Sequence, residues 1–82
     1  MMIPVHFDSS AGAQIIVKIE RLAGQHEYLK LNPFLIRGGC LEVGAPLNLT
    51  DEGALIKFPL GLTSTTGNTQ LWIKRKHLLA SI

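Results

Sequence analysis

Trp72, Lys74 and Lys76 recur at every second position within the stretch LWIKRK near the end of the chain. On an extended strand that spacing sends all three to one face and Leu71, Ile73 and Arg75 to the other. Leu71 and Ile73 make the better core pair, because burying Lys74 and Lys76 without partners is costly. Trp72 is then expected on the outer face, in line with two ammonium groups. An exposed ring among cations is the equipment of single-stranded nucleic-acid binders, where the ring stacks on a base and lysines track the phosphates. The preceding run repeats the arrangement, with Ile56 and Phe58 facing one way and Leu55 and Lys57 the other. Lys57, Trp72, Lys74, Arg75 and Lys76 are therefore the candidate nucleic-acid-binding residues. The competing reading puts Trp72 at a subunit interface, where Trp is enriched, with the lysines as a solvated rim.

Other chemistry-bearing residues form no pattern. His6, Asp8 and Ser9 supply the residue types of a hydrolytic triad, but neighbours on one strand rarely converge on each other. His6, His26 and His77 are isolated along the chain, and the single Cys40 has no paired ligand, so a zinc signature is lacking. GLTSTTGNT sets Gly61 and Gly67 around a run of hydroxyls, yet lacks the Gly-Lys-Ser/Thr ending of a phosphate-cradling loop. It reads as a flexible hairpin tip. The expectation is a protein without catalytic residues, metal or cofactor.

Charge is unevenly spread. Residues 1–52 hold Lys18, Arg21, Lys30 and Arg37 against six acids, a balance of −2, whereas residues 53–82 hold Lys57, Lys74, Arg75 and Lys76 and no acid, a balance of +4. Such asymmetry points to an anionic partner. The 82-residue chain is 46% hydrophobic and 17% charged, against about 25% charged residues in ordinary soluble domains. A single domain so small has a high surface-to-volume ratio, and its apolar excess outruns what one core absorbs. A homo-oligomer, most simply a two-fold dimer, is the natural outlet. No run approaches the roughly 18 apolar residues of a membrane helix, so a membrane partner is not expected. The opening MMIPVHFDSS lacks the basic and apolar regions of a secretory signal, and a lone Cys40 fits a reducing, cytoplasmic setting.

The elements that must position these residues read as mainly β. Short alternating runs separated by turn residues predict about six antiparallel strands, in a small barrel or strongly bent sheet with at most one short helix. MIPVHF is the first strand, ended by Asp8-Ser9-Ser10, with Pro4 marking an edge. Residues 13–23 carry two patterns. Ile15, Ile16, Ile19, Leu22 and Ala23 lie on one helical stripe between Ser10 and Gly24, while Ile15, Val17 and Ile19 alternate within a β-branched run. A hairpin through Ala23-Gly24-Gln25-His26 into EYLKLN is the simpler account. PFLIRGG is a helical turn or a corner. CLEVGAPLNLT and ALIKFPL are strands joined at Asp51-Glu52-Gly53, and QLWIKRKHLL is the last strand, finishing in a helical turn.

ALIKF, a hairpin and LWIKRKHLL together resemble the last two strands of SH3-like barrels, over residues 54–79 and without a diagnostic motif. In the middle, Pro33, Ile36, Arg37, Gly44 and Leu47 are similar in order to swapped-hairpin DNA-binding antitoxins. There the helical turn is interrupted by Gly38-Gly39. Both resemblances imply a small β-domain, and the second implies a DNA partner.

Overall fold

A period of two governs the longer strands. Along His26–Leu31, Glu27, Leu29 and Leu31 are buried while His26, Tyr28 and Lys30 are exposed, as a half-covered sheet demands. The computed structural model describes residues 1–80. In chain order the strands are β1 (Met2–Pro4), β2 (His6–Ala11), β3 (Gln14–Glu20), β4 (His26–Leu31), β5 (Ile36–Arg37), β6 (Cys40–Glu42), β7 (Asn48–Leu49), β8 (Gly53–Lys57) and β9 (Gln70–Lys74). All pairings are antiparallel, in three sheets ordered β1-β6-β5, β2-β3-β4 and β7-β8-β9. The mainly β reading holds.

The ambiguous segment is strand. Residues Ile15 to Glu20 each face a partner in β4, from Ile15↔Leu31 to Glu20↔His26. A helix there would bury its apolar stripe but leave β4 without its neighbour. The hairpin turns at Arg21–Gln25, where Arg21 N–H donates to the Gln25 carbonyl at 2.7 Å and Gly24 N–H to the Arg21 carbonyl at 2.8 Å. Gly24 sits at φ 90°, a left-handed conformation that glycine adopts without strain.

Among the described residues nine strands replace the expected six because several runs split. MIPVHF divides at Val5, so that β1 joins one sheet and β2 another. Asp8-Ser9-Ser10 does not end the second piece: β2 continues to Ala11 across a bulge between Phe7 and Ser9. CLEVGAPLNLT breaks into β6 and β7 around Gly44 and Pro46, residues that interrupt a ladder. The helical turns are Pro33–Leu35 and Arg75–His77, each one turn of 3-10 helix.

The sheets wrap one core without closing into a barrel. Their seams are single backbone contacts rather than continuous ladders: Leu22 N–H to the Trp72 carbonyl at 2.8 Å, and the Met2–Leu79 and Leu29–Ser64 bridges. Closure requires paired, staggered strands all the way round, which these isolated contacts do not provide. Every sheet feeds the core. Ile3 and Leu41 come from the first, Val17, Ile19, Leu29 and Leu31 from the second, and Ile56, Leu71 and Ile73 from the third. Burying such a side chain contributes about 1.5–3 kcal/mol. Ile56→Ala is accordingly expected to lower the unfolding free energy by about 2–5 kcal/mol in urea titration. Leu60→Ala, at a position 98% exposed, should stay within about 0.5 kcal/mol.

Candidate binding site

β8 and β9 pair in register, with Leu55 opposite Trp72, Lys57 opposite Gln70 and Gly53 opposite Lys74. Leu71 and Ile73 are buried, and Trp72 and Lys74 turn to the other face. Trp72 is nevertheless half-buried rather than free. Its ring edges over Gly53 beside Leu22: a Cβ at residue 53 would stand 2.9 Å from Leu22 Cδ2, 3.2 Å from Trp72 Cε3 and 3.3 Å from Thr50 Oγ1. Thr50 holds that strand start, its hydroxyl accepting from Gly53 N–H at 2.9 Å and its N–H donating to the Gly53 carbonyl at 2.9 Å. Beside the ring an open groove of about 450 Å³ runs between Arg21, Leu22, Ala23, Gln25, Thr50 and Trp72.

The expected row of three outward residues is shortened. β9 ends at Lys74, and Arg75 N–H makes the last ladder bond, to the Glu52 carbonyl at 2.8 Å. The chain then coils through Arg75–His77, which takes it back to the Met2–Leu79 bridge. Arg75 therefore does not share the face of Leu71 and Ile73, and Lys76 does not continue the face of Trp72 and Lys74. Lys74 pairs with Glu20 at 3.0 Å, and the Arg75 guanidinium donates to the Thr50 carbonyl at 3.1 Å. The hydrogen bond and charge of Lys74 hold the Glu20 carboxyl below its ordinary value. Lys57, exposed, lies four residues along β8 from Gly53, roughly 13 Å away at strand rise. It stands apart from the other cations.

A second groove of about 340 Å³ adjoins the first, lined by Leu22, Asp51, Glu52, Lys74, Arg75 and Lys76. Leu22 belongs to both. The result is a trough with one apolar half and one half carrying both signs of charge.

Glu27 is the functional-looking residue that motif reading missed. It is 2% exposed, and alternation alone places it in phase with Leu29 and Leu31. The Thr66 hydroxyl donates to its Oε1, Arg21 to its Oε2 at 3.2 Å, and Asn68 approaches at 3.5 Å. Ser64 completes the cluster, sharing a hydrogen bond with Thr66 at 3.1 Å and accepting from Asn68 N–H at 3.0 Å. The second half of GLTSTTGNT, expected as a flexible hairpin tip, is hydrogen-bonded to β4, with Thr65 N–H donating to the Tyr28 carbonyl at 2.9 Å. A buried carboxylate needs such partners. The clamp also fixes Arg21 on the groove wall.

Burial pushes the Glu27 carboxyl up, but hydrogen bonds from Thr66, Ser64 and Asn68 and the charge of Arg21 outweigh it, and the net shift is downward from 4.5. A carboxyl lowered in the folded state adds stability above its unfolded pKa and loses it as pH falls through the folded value.

His6, Asp8 and Ser9 do not assemble. The Ser9 hydroxyl donates to Asp8 at 3.1 Å, while His6 lines a separate cavity of about 130 Å³ with Glu20 and His77. Among the described residues no three His, Cys, Asp or Glu side chains lie close enough together to hold a metal ion. Searches among family models, curated proteins and solved structures find no match to the chain.

Gly53→Ala is expected to lower stability by about 1–3 kcal/mol through overpacking and to alter the emission of the single Trp72, read by urea titration with fluorescence. Acid should weaken the wild type as pH falls below 4.5, the ordinary value of both lowered carboxyls. In Glu27→Gln that loss should be shallower, because one of the two titrating contributions is gone, as stability measured across pH would reveal.

Proposed function

We propose that this protein is a non-catalytic binding module that holds an extended polypeptide segment in the trough beside Trp72. The carrying observation is the shared wall at Leu22, which joins an apolar groove to one lined by Asp51, Glu52, Lys74, Arg75 and Lys76. Such a trough favours a ligand with an apolar side chain next to charges of both signs. A polypeptide has that chemistry; a polyphosphate does not. Trp72 serves as the desolvated aromatic anchor, the role in which Trp dominates interfaces. Arg21, held by Glu27, and Gln25 supply polar contacts at the rim. Leu47 and Leu49, 52% and 44% exposed beside the same sheet, support pairing of two copies into a dimer, and Cys40, free and half-buried, fits a reducing, cytoplasmic setting.

One observation favours a second reading, single-stranded nucleic acid. Residues 53–82 carry four cations and no acid, and the Trp72 ring borders an open groove. In that reading a base stacks on Trp72 while Lys57, Lys74, Arg75 and Lys76 meet phosphates. Against it stand Glu20, Asp51 and Glu52, which put carboxylates among those cations.

Calorimetric titration with short peptides bearing one Leu or Phe between Lys and Glu residues, and in parallel with oligothymidylate, distinguishes the two. The peptide reading expects binding that varies little with salt. It also expects a loss of about 2 kcal/mol or more in Trp72→Ala and no change in Lys57→Ala. Oligothymidylate binding whose log–log salt slope is about 0.7 per phosphate contact, with peptides inert, would replace it with the nucleic-acid reading.

A further inference from the structure

Two apolar side chains stand almost bare, Leu60 at 98% and Phe34 at 89% exposure. Each occupies a tight turn. Pro33–Leu35 is one turn of 3-10 helix opened by Asn32, whose side chain accepts from Phe34 N–H at 2.9 Å. Leu62 N–H donates to the Pro59 carbonyl at 3.0 Å, and Leu62 packs on the core while Leu60 is left outside. Both turns belong to one end of the molecule. Ser64 bridges Leu29 in antiparallel sense, so that stepping back from Ser64 toward Pro59 runs alongside β4 as it goes forward to Pro33. The Glu27 clamp anchors that loop.

Charge at this end is mostly positive, Asp8 at the β2 bulge being the acid that the strand register brings level with Lys30. Residues 28–41 contain Lys30 and Arg37 and no acid, and residues 53–70 contain Lys57 and no acid. All three cations are exposed. Glu20 closes the opposite end of β3, and Asp51 and Glu52 precede the opposite end of β8.

We propose that this end docks on an anionic lipid surface, with Phe34 and Leu60 entering the interfacial layer and Lys30, Arg37 and Lys57 facing the headgroups. Apolar side chains standing singly on turns offer no concave pocket to a protein's anchor residue. A soft interface closes around each of them, and basic side chains nearby add attraction to anionic lipid. Such peripheral docking needs no spanning segment, and no helix among the described residues is long and apolar enough to cross a membrane. It goes beyond the sequence-based expectation of no membrane partner, which concerned spanning segments alone. It is independent of the trough beside Trp72.

Flotation of the full chain with vesicles of phosphatidylcholine, alone or mixed with phosphatidylserine, tests it. The chain should float with the phosphatidylserine vesicles at low salt and be released as salt rises. Phe34→Ser combined with Leu60→Ser, at positions too exposed to affect folding, should weaken binding by about tenfold or more. Lys30→Ala and Lys57→Ala should each weaken it by roughly fivefold, with circular dichroism unchanged in every variant. Failure of the wild type to float with phosphatidylserine vesicles at low salt would overturn the proposal. So would equal binding to phosphatidylcholine alone, or undiminished binding by the Phe34/Leu60 variant. Dissociation of a dimer by that variant, without any vesicle binding by the wild type, would assign the turns to a protein contact instead.

Discussion

The approach of Trp72 to Gly53 is the contact on which the rest depends. With Leu22 Cδ2 only 2.9 Å from where a Cβ would stand, residue 53 has no room for a side chain, and the ring covers backbone that would otherwise face water. An aromatic side chain beside a strand glycine restores the packing the glycine lacks. The same residue is held from its backbone, since the Trp72 carbonyl accepts from Leu22 N–H at 2.8 Å. Ring and carbonyl thus tie the β3–β4 turn to β9, and Leu22 becomes the wall shared by both grooves. Loosening either contact would open a seam of the core and spread the trough together.

Charge that is segregated along the chain is mixed in space. The last thirty or so residues read as a basic edge, but antiparallel pairing brings Glu52 against Arg75 through a backbone bond, and a side-chain ion pair between β3 and β9, strands of different sheets, sets Glu20 against Lys74. Exposed pairs like this contribute little to stability. Their consequence is electrostatic: the potential that would draw a polyanion is partly cancelled beside Trp72. Lys30, Arg37 and Lys57 lie at the other end, among the projecting turns, with Asp8 level with Lys30.

Alternation was the legible part of the fold. It placed Leu71 and Ile73 inside and Trp72 outside, and it put the 13–23 segment and its hairpin into strands. It failed where a run crosses from one sheet to another, as at Val5, since both halves keep the same period and only the tertiary path divides them. It also failed at Arg75, because the last strand stops when its ladder partners run out rather than when its pattern does. Glu27 was visible as an inward-phase residue, but its partners Thr66 and Asn68 lie 39 and 41 residues away, beyond the reach of local reasoning. The near-complete exposure of Phe34 and Leu60 had no sequence signal, because apolar residues near a proline read equally well as core.

The seat of Trp72 is open to direct measurement. Being the only tryptophan in the chain, it gives unambiguous indole signals, and nuclear Overhauser contacts from its ring protons report its neighbours directly. A ring seated on Gly53 beside Leu22 gives cross-peaks from the Trp72 ring to the Gly53 Hα protons and the Leu22 methyl groups, with those methyl shifts moved by the ring current. An indole with solvent-like shifts and no contact to either residue would contradict it.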